Sequence, residues 1–201
     1  HNLSRKPSLS IIGTGKRIGK TAVSGYVSRI LEEILTSQGH QEGVAVIAMG
    51  RGGPLEPEVI EGRERRIGVA ELLAYSRQGK HAASDYFEDA ALSSVTTIGC
   101  RRCGGGLAGM PYVSNVVAGA LIAEELPATL LIFEGSGSAL PPIAAQRTIC
   151  IAGADQPLDY ILGYMGTYRL LISDIVLLTM CEEPLAGAEK VAQLVAGIKQ
   201  I

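Results

Sequence analysis

Ser8-Leu9-Ser10-Ile11-Ile12-Gly13-Thr14-Gly15-Lys16-Arg17-Ile18-Gly19-Lys20-Thr21 is the stretch on which the reading of this chain turns. Residues 8–12 are apolar enough for a short buried strand, and they run directly into a glycine loop. From about residue 19 to 37, Val23, Val27, Ile30, Leu31, Ile34 and Leu35 recur at helical spacing and draw one apolar stripe. Strand, glycine loop and helix start are the context that a phosphate-binding loop requires. Backbone N–H groups and the helix N-terminus face the anion there, so its charge is met by fixed dipoles. The reading assigns Gly13, Thr14, Gly15, Lys16, Gly19, Lys20 and Thr21 to a nucleotide, ATP in the first instance. Lys20 is expected to reach the β- and γ-phosphates, and the Thr21 hydroxyl to ligate magnesium (Mg2+). Thr14 stands where the usual pattern has its first glycine, flanked by Gly13 and Gly15. A chance glycine turn is the competing reading, and the Gly19-Lys20-Thr21 ending weighs against it.

Working outward, continuous apolar runs at 44–49, 129–133, 148–152 and 175–179, and a shorter one at 96–99, read as strands. Helices are expected at 69–75 and 85–92, and after Pro111 with Val113, Val116, Val117, Ala120 and Leu121 as its stripe. A last helix spans 188–198, with Val191, Leu194, Val195 and Ile198 on one face. Strands without polar alternation, separated by helices, mean a parallel sheet covered on both sides. The fold class is therefore α/β, a P-loop NTPase-type parallel sheet with helices on both faces. Residues 1–201 read as one P-loop nucleotide-binding domain, a fragment or shortened form of a longer protein. Ligands of such sheets bind beyond the carboxyl ends of the strands. The loops after Ile12, Met49, Gly99 and Phe133 should share that edge.

Composition narrows the function further. The net charge of −2 gives a nucleic-acid partner no bulk electrostatic support. No apolar run is long enough to span a bilayer, and the polar, basic amino end does not read as a secretory signal. Four cysteines in 201 residues do not make a disulfide scaffold, so reduced thiols and a cytoplasmic location are expected.

The strand-end loops hold the charged residues. Arg51 sits between glycines, and Arg101 and Arg102 precede Gly104, Gly105 and Gly106. Arginine presents a planar fork to carboxylate or phosphate, and neighbouring glycines let backbone N–H groups approach the same anion. Arg51, Arg101, Arg102, Gly104 and Gly105 are thus candidates for a small, highly charged co-substrate, with Asp85 beside them as a base or magnesium helper. Solvated arginines, and an Asp85 merely well placed against a helix dipole, are the competing readings. Glu134 ends an apolar strand before Gly135-Ser136-Gly137 and is a second candidate magnesium ligand; a solvated strand-end acid is the alternative. Lys16, Lys20 and Glu134 are the catalytic candidates. Cys100 and Cys103 have metal-like spacing but no second pair, so packing thiols are favoured over zinc or redox chemistry. His81 is a lone candidate base.

The loop with Thr14 at its first position resembles that of dethiobiotin synthetase, whose acidic loop is similar to Glu134-Gly-Ser-Gly137. Met49-Gly-Arg-Gly-Gly-Pro-Leu-Glu-Pro-Glu-Val-Ile60, Ser84-Asp-Tyr-Phe-Glu-Asp89, Gly99-Cys-Arg-Arg-Cys-Gly-Gly-Gly-Leu-Ala-Gly109 and Tyr164-x-x-x-Tyr-Arg-Leu-Leu171 follow in order around it. Together they resemble the cyclic 2,3-diphosphoglycerate synthetase family over nearly the whole chain. The Met49 and Cys100 segments are the most specific, since neither is a generic nucleotide motif. The resemblance implies ATP-dependent closure of 2,3-diphosphoglycerate into its cyclic pyrophosphate, with ADP and phosphate released. It implies that Lys16, Lys20 and Mg2+ stabilise the transferring group while Arg51, Arg101 and Arg102 hold the substrate. It also implies flanking regions beyond both ends, and relatives of this kind suggest a homodimer. A dethiobiotin-synthetase-like ligase acting on another acid, and a non-catalytic nucleotide-binding regulatory domain, stay open beside it.

Overall fold

The computed structural model describes residues 3–63, 67–79 and 85–201. His81 and Ser84 lie outside these residues. From the amino end, β1 (Ser8–Gly13) leads to α1 (Lys20–Ser37), β2 (Glu42–Gly50) and a short β3 (Glu58–Ile60). Next come α2 (Val69–Arg77), α3 (Asp85–Ser93), β4 (Thr96–Cys103) and β5 (Val113–Ser114). Then follow α4 (Val116–Glu125), β6 (Ala128–Glu134) and β7 (Arg147–Gly153). α5 (Leu158–Leu162), α6 (Tyr164–Leu171), β8 (Ile175–Thr179) and α7 (Ala188–Ile198) complete the order.

All six expected strands form one sheet, in the order β3-β4-β2-β6-β1-β7-β8 with β5 on β4. Every pairing from β4 through β8 along that path is parallel, and only β3 and β5 run antiparallel. The protein is thus an α/β fold of the expected class. Alternate residues of β2 show why it is apolar from Val44 to Met49. Val44, Val46 and Ala48 pack with Tyr86 and Phe87 of α3, whereas Ala45, Ile47 and Met49 pack with Val116, Ala120 and Ala123 of α4. Both faces are covered, so no position can be polar without burying an unpaired group. A third cluster joins Ile12, Cys150 and Ala152 to Ile161, Leu170 and Leu194. Among the described residues no helix is long and apolar enough to cross a membrane.

Two details differ from the sequence pattern. Val113 is not on a helix: it pairs with Cys103, and Ser114 with Arg102, in an antiparallel ladder. That pairing uses the backbone that an earlier helix start would need. Asn115 then ties the turn down, accepting from the Arg101 N–H at 2.6 Å and donating to the Leu55 carbonyl at 2.8 Å. The helix begins at Val116, Pro111 lies outside it, and Leu121 is exposed. On α1, Ile34 is also exposed, while Ser24, Gly25 and Ser28 are buried. A Cβ at Gly25 would stand 3.1 Å from the Leu92 Cβ, so the missing side chain is what lets α1 lie close to α3.

Candidate active site

The phosphate loop occupies the turn between β1 and α1. Arg17 and Gly19 both have left-handed backbone, with φ of 60° and 78°. Glycine at position 19 removes the Cβ penalty where the chain enters the helix. Ile18 is the loop's apolar anchor: it is buried, and Cβ atoms at Gly13 or Gly153 would come within 2.8 or 2.7 Å of its side chain. Three polar ties hold the loop from behind. The Thr14 N–H donates to the Ile151 carbonyl at 3.0 Å, and the Thr179 hydroxyl to the Ile18 carbonyl at 2.7 Å. The Thr14 hydroxyl donates to Oε1 of Gln156. This last contact accounts for the departure from the usual pattern, because a glycine at position 14 could not make it.

Beneath the loop lies a pair of buried acids. Glu134, at the end of β6, and Asp89, on α3, are almost wholly removed from water. Neither Asp89 oxygen, nor Oε1 of Glu134, receives an N–H or O–H from another described residue; the two carboxyl groups instead meet each other. Burial pushes Asp89 well above the usual carboxylate range, and the charge of Glu134 adds to this. Burial also raises Glu134, against the pull of its contact with Asp89 and of the Lys20 ammonium. These unsatisfied oxygens fit a hard divalent cation, which takes one or two carboxylates and completes its shell with hydroxyl, water and phosphate oxygens. Thr21, in the first turn of α1, lines the cavity beside them, together with Lys20, whose ammonium acts on both acids. Among the described residues no three or more His, Cys, Asp and Glu gather into an all-protein metal cage.

Above the acids opens a cavity of about 900 Å3. Lys16, Lys20 and Thr21 line it from the phosphate loop, Arg51 from the loop after β2, and Asp85 and Glu88 from α3. Arg101 of β4 and the Ser136–Gly137 turn after β6 complete the wall. The loops after β1, β2 and β6 therefore meet at one edge of the sheet; the loop expected after Gly99 is instead strand, since pairing of Arg101 with Gly50 carries β4 on to Cys103, and Arg101 reaches the cavity from the strand itself. A second cavity of about 450 Å3 shares Gly15, Lys16 and Arg51 with the first and adds Arg102, Gly105, Tyr160 and Arg169. Lys16 passes between the two, with its stem over Gly137, where a Cβ would stand 3.1 Å from it.

The adjacent arginines of β4 serve different cavities because successive strand residues point to opposite faces. Arg101 donates from Nε to the Gly53 carbonyl at 2.7 Å and faces the first cavity. Arg102 is buried and faces the second, donating to the Gly104 and Ser136 carbonyls at 2.8 and 2.9 Å. Its Nε has no acceptor among the described residues. Burial and the nearby Arg51 lower its proton affinity, although a guanidinium stays charged. Gly104 shapes the turn, with φ of 70° and its carbonyl on Arg102, whereas Gly105 lines the cavity itself.

The same alternation separates Cys100 from Cys103. Cys100 is buried against Gly119, with its thiol pushed up to about 12 by burial, while Cys103 is exposed. The two do not face a common ligand, which fits the packing role over zinc. Sequence reasoning did not single out Asp89, Tyr160 or Arg169. Asp89 was one acid of a run, and Arg169 one residue of the Tyr164–Leu171 segment; neither carries a local sign that it will be buried.

Residues 8–201 match the family model described as cyclic 2,3-diphosphoglycerate synthetase, P-loop domain. A cyclic 2,3-diphosphoglycerate synthetase of Rubrobacter xylanophilus is 55% identical over 98% of this chain and 43% of its own length. The protein of that name from Methanothermus fervidus is 47% identical over 100% of this chain and 42% of its own. That from Thermococcus onnurineus is 52% identical over 89% and 40%. The chain spans less than half the length of these curated relatives.

Proposed function

The chain belongs to the cyclic 2,3-diphosphoglycerate synthetase family, and from that premise we propose that it carries the reaction site of an ATP- and magnesium-dependent ligase. The ligase closes 2,3-diphosphoglycerate into its cyclic pyrophosphate and releases ADP and phosphate. The observation that carries this reading is continuity. Lys16 and Arg51 line both the phosphate-loop cavity and the arginine cavity, so a nucleotide in one and a small polyanion in the other can touch.

The chemistry needs no side-chain nucleophile. An oxygen of one substrate phosphate attacks the γ-phosphorus of ATP; the bond to the β–γ bridging oxygen breaks and ADP leaves. An oxygen of the other substrate phosphate then attacks the phosphorus still attached to the carbon skeleton, and the transferred group departs as inorganic phosphate. Phosphoryl transfer of this kind is mostly positioning and charge neutralisation. The loop N–H groups and Lys20 hold the β- and γ-phosphates. Lys16 and Arg51, at the junction, bring the receiving phosphate up against its own repulsion from the nucleotide. Arg102 holds the substrate in the second cavity, while Arg101, on the other face of β4, meets the phosphates in the first. Thr21, Asp89 and Glu134 would hold Mg2+, which would supply neutralisation of the phosphate charge. We place this activity in the cytoplasm, to which the four free cysteines are suited.

Phosphorus NMR of the protein with Mg-ATP and 2,3-diphosphoglycerate tests the reading. The expected result is a cyclic pyrophosphate signal growing in step with ADP and phosphate. Nucleotide binding without turnover points instead to a regulatory domain. ATP hydrolysis driven only by another acid points to a dethiobiotin-synthetase-like ligase.

A further inference from the structure

The arginine cavity holds a buried cation to which the reading above gives no task. Arg169, on α6, is 6% exposed and lines the second cavity but not the first. Among the described residues no carboxylate forms an ion pair with it or with Arg102. Burying a guanidinium without a counter-charge is costly, and carbonyl partners offset only part of that cost. Arg169 donates from Nε and Nη2 to the Ser138 carbonyl, at 3.1 and 2.6 Å, and from Nη1 to the Met165 carbonyl at 2.8 Å. A guanidinium has five N–H groups. One therefore remains on each terminal nitrogen, the pair that meets a carboxylate or phosphate edge-on.

Position chooses between those anions. Both phosphates of 2,3-diphosphoglycerate react, so both must lie near the γ-phosphate, at the end of the cavity marked by Lys16 and Arg51. The carboxylate takes no part and can lie at Arg169, which lines the second cavity and not the first. We infer that Arg169 is the specificity-determining residue that holds the substrate carboxylate. The carbonyl contacts set the plane of its fork, and with no carboxylate ion-paired to it among the described residues its open edge is left for the ligand. This inference rests on the ligase reading and adds to it a requirement for a carboxylated diphosphate.

The test pairs Arg169→Gln with glycerol 1,2-bisphosphate, in which the carboxylate is replaced by a CH2OH group and both phosphates remain. Wild-type protein is expected to prefer 2,3-diphosphoglycerate over the alcohol by roughly 10- to 100-fold in kcat/KM. In Arg169→Gln the preference should fall to near parity, mainly through KM for the acid. If Arg169 only braces Ser138 and Met165, both substrates slow together and the preference keeps its wild-type size, which overturns the inference. Should the glutamine variant not fold, Arg169→Lys keeps the charge but not the fork and should lose most of the preference; full retention overturns the inference equally. Failure of wild type to turn over 2,3-diphosphoglycerate is a separate outcome that sinks the ligase reading with it.

Discussion

The phosphate loop and the arginine cavity meet along Lys16 and Arg51, yet they are built in opposite ways. The loop is a run of consecutive residues whose binding groups are backbone N–H donors at a helix start. Its side chains serve mainly to hold its shape: Ile18 anchors it, and Thr14 ties it to Gln156. The arginine cavity is assembled from side chains on β4, the loop after β2 and α6, and two of them, Arg102 and Arg169, are braced on the carbonyls of Ser136 and Ser138. Backbone dipoles are tolerant of the exact ligand, because any phosphate meets them alike. Side-chain forks are selective, because their geometry matches particular oxygens. On the proposed function, this division would have the loop half supply affinity for the nucleotide and the arginine half decide what is joined to it.

Substitutions can break or sharpen this division. The largest effect is expected from Lys20→Ala, which should lower ATP turnover by about 100- to 1,000-fold. Nucleotide binding measured by calorimetry should survive in part, since the backbone donors remain; complete loss of binding would mean that the loop depends on one side chain after all. Arg51→Ala should lower kcat/KM for the acidic substrate by roughly 100-fold. The dissociation constant of ATP should stay nearly unchanged, and equal weakening of both ligands would erase the division.

Close to Lys20 and Asp85 lies the Asp89–Glu134 pair, whose signature is a pH dependence. Both carboxyls are raised above their unfolded values, so the folded chain holds protons that the unfolded chain has released. Their stabilisation is fully present below the unfolded carboxylate range, near about 4, and is lost as pH rises through the folded values. Thermal melts of metal-free protein should therefore fall from mildly acidic to alkaline pH. Asp89→Asn should flatten that fall, and magnesium should raise the melting temperature most at the alkaline end. A melt that improves with pH in the absence of metal would contradict the pair.

Smaller effects probe the supports. Thr179→Val removes the hydroxyl that holds the Ile18 carbonyl and should cost about 1 kcal/mol of stability by denaturant titration, with a weaker ATP affinity. A stability loss without any change in affinity would show that the loop keeps its shape unaided. Cys103→Ser should change stability by no more than about 0.5 kcal/mol. A larger loss, or a response to zinc chelators, would restore a metal role to β4.

Much of this was readable along the chain, but unevenly. The six parallel strands were visible because burial on both faces demands unbroken apolar runs, as in β2. β3 and β5 were not, since strands of 3 and 2 residues show no period. Val113 misled because its spacing from Val116 and Val117 suits a helix, and only the pairing with Cys103 overrides it. Arg51, Arg101 and Arg102 stood out by their glycine neighbours. Asp89 and Arg169 had no such neighbours, and a charge is informative only once its burial is known.

By itself the sequence determined the sheet's class and the phosphate loop, because in both cases residues adjacent in the chain do their work together in space. Only the tertiary structure decided which distant charges share a site. The strand order β4-β2-β6-β1-β7-β8 interleaves segments far apart in sequence. It sets Asp89 against Glu134, sends Arg101 and Arg102 into separate cavities, and brings Arg169 to the second. The physical reason is that such groupings are fixed by removal from water and by the partners left within reach, and neither exists until the chain has packed.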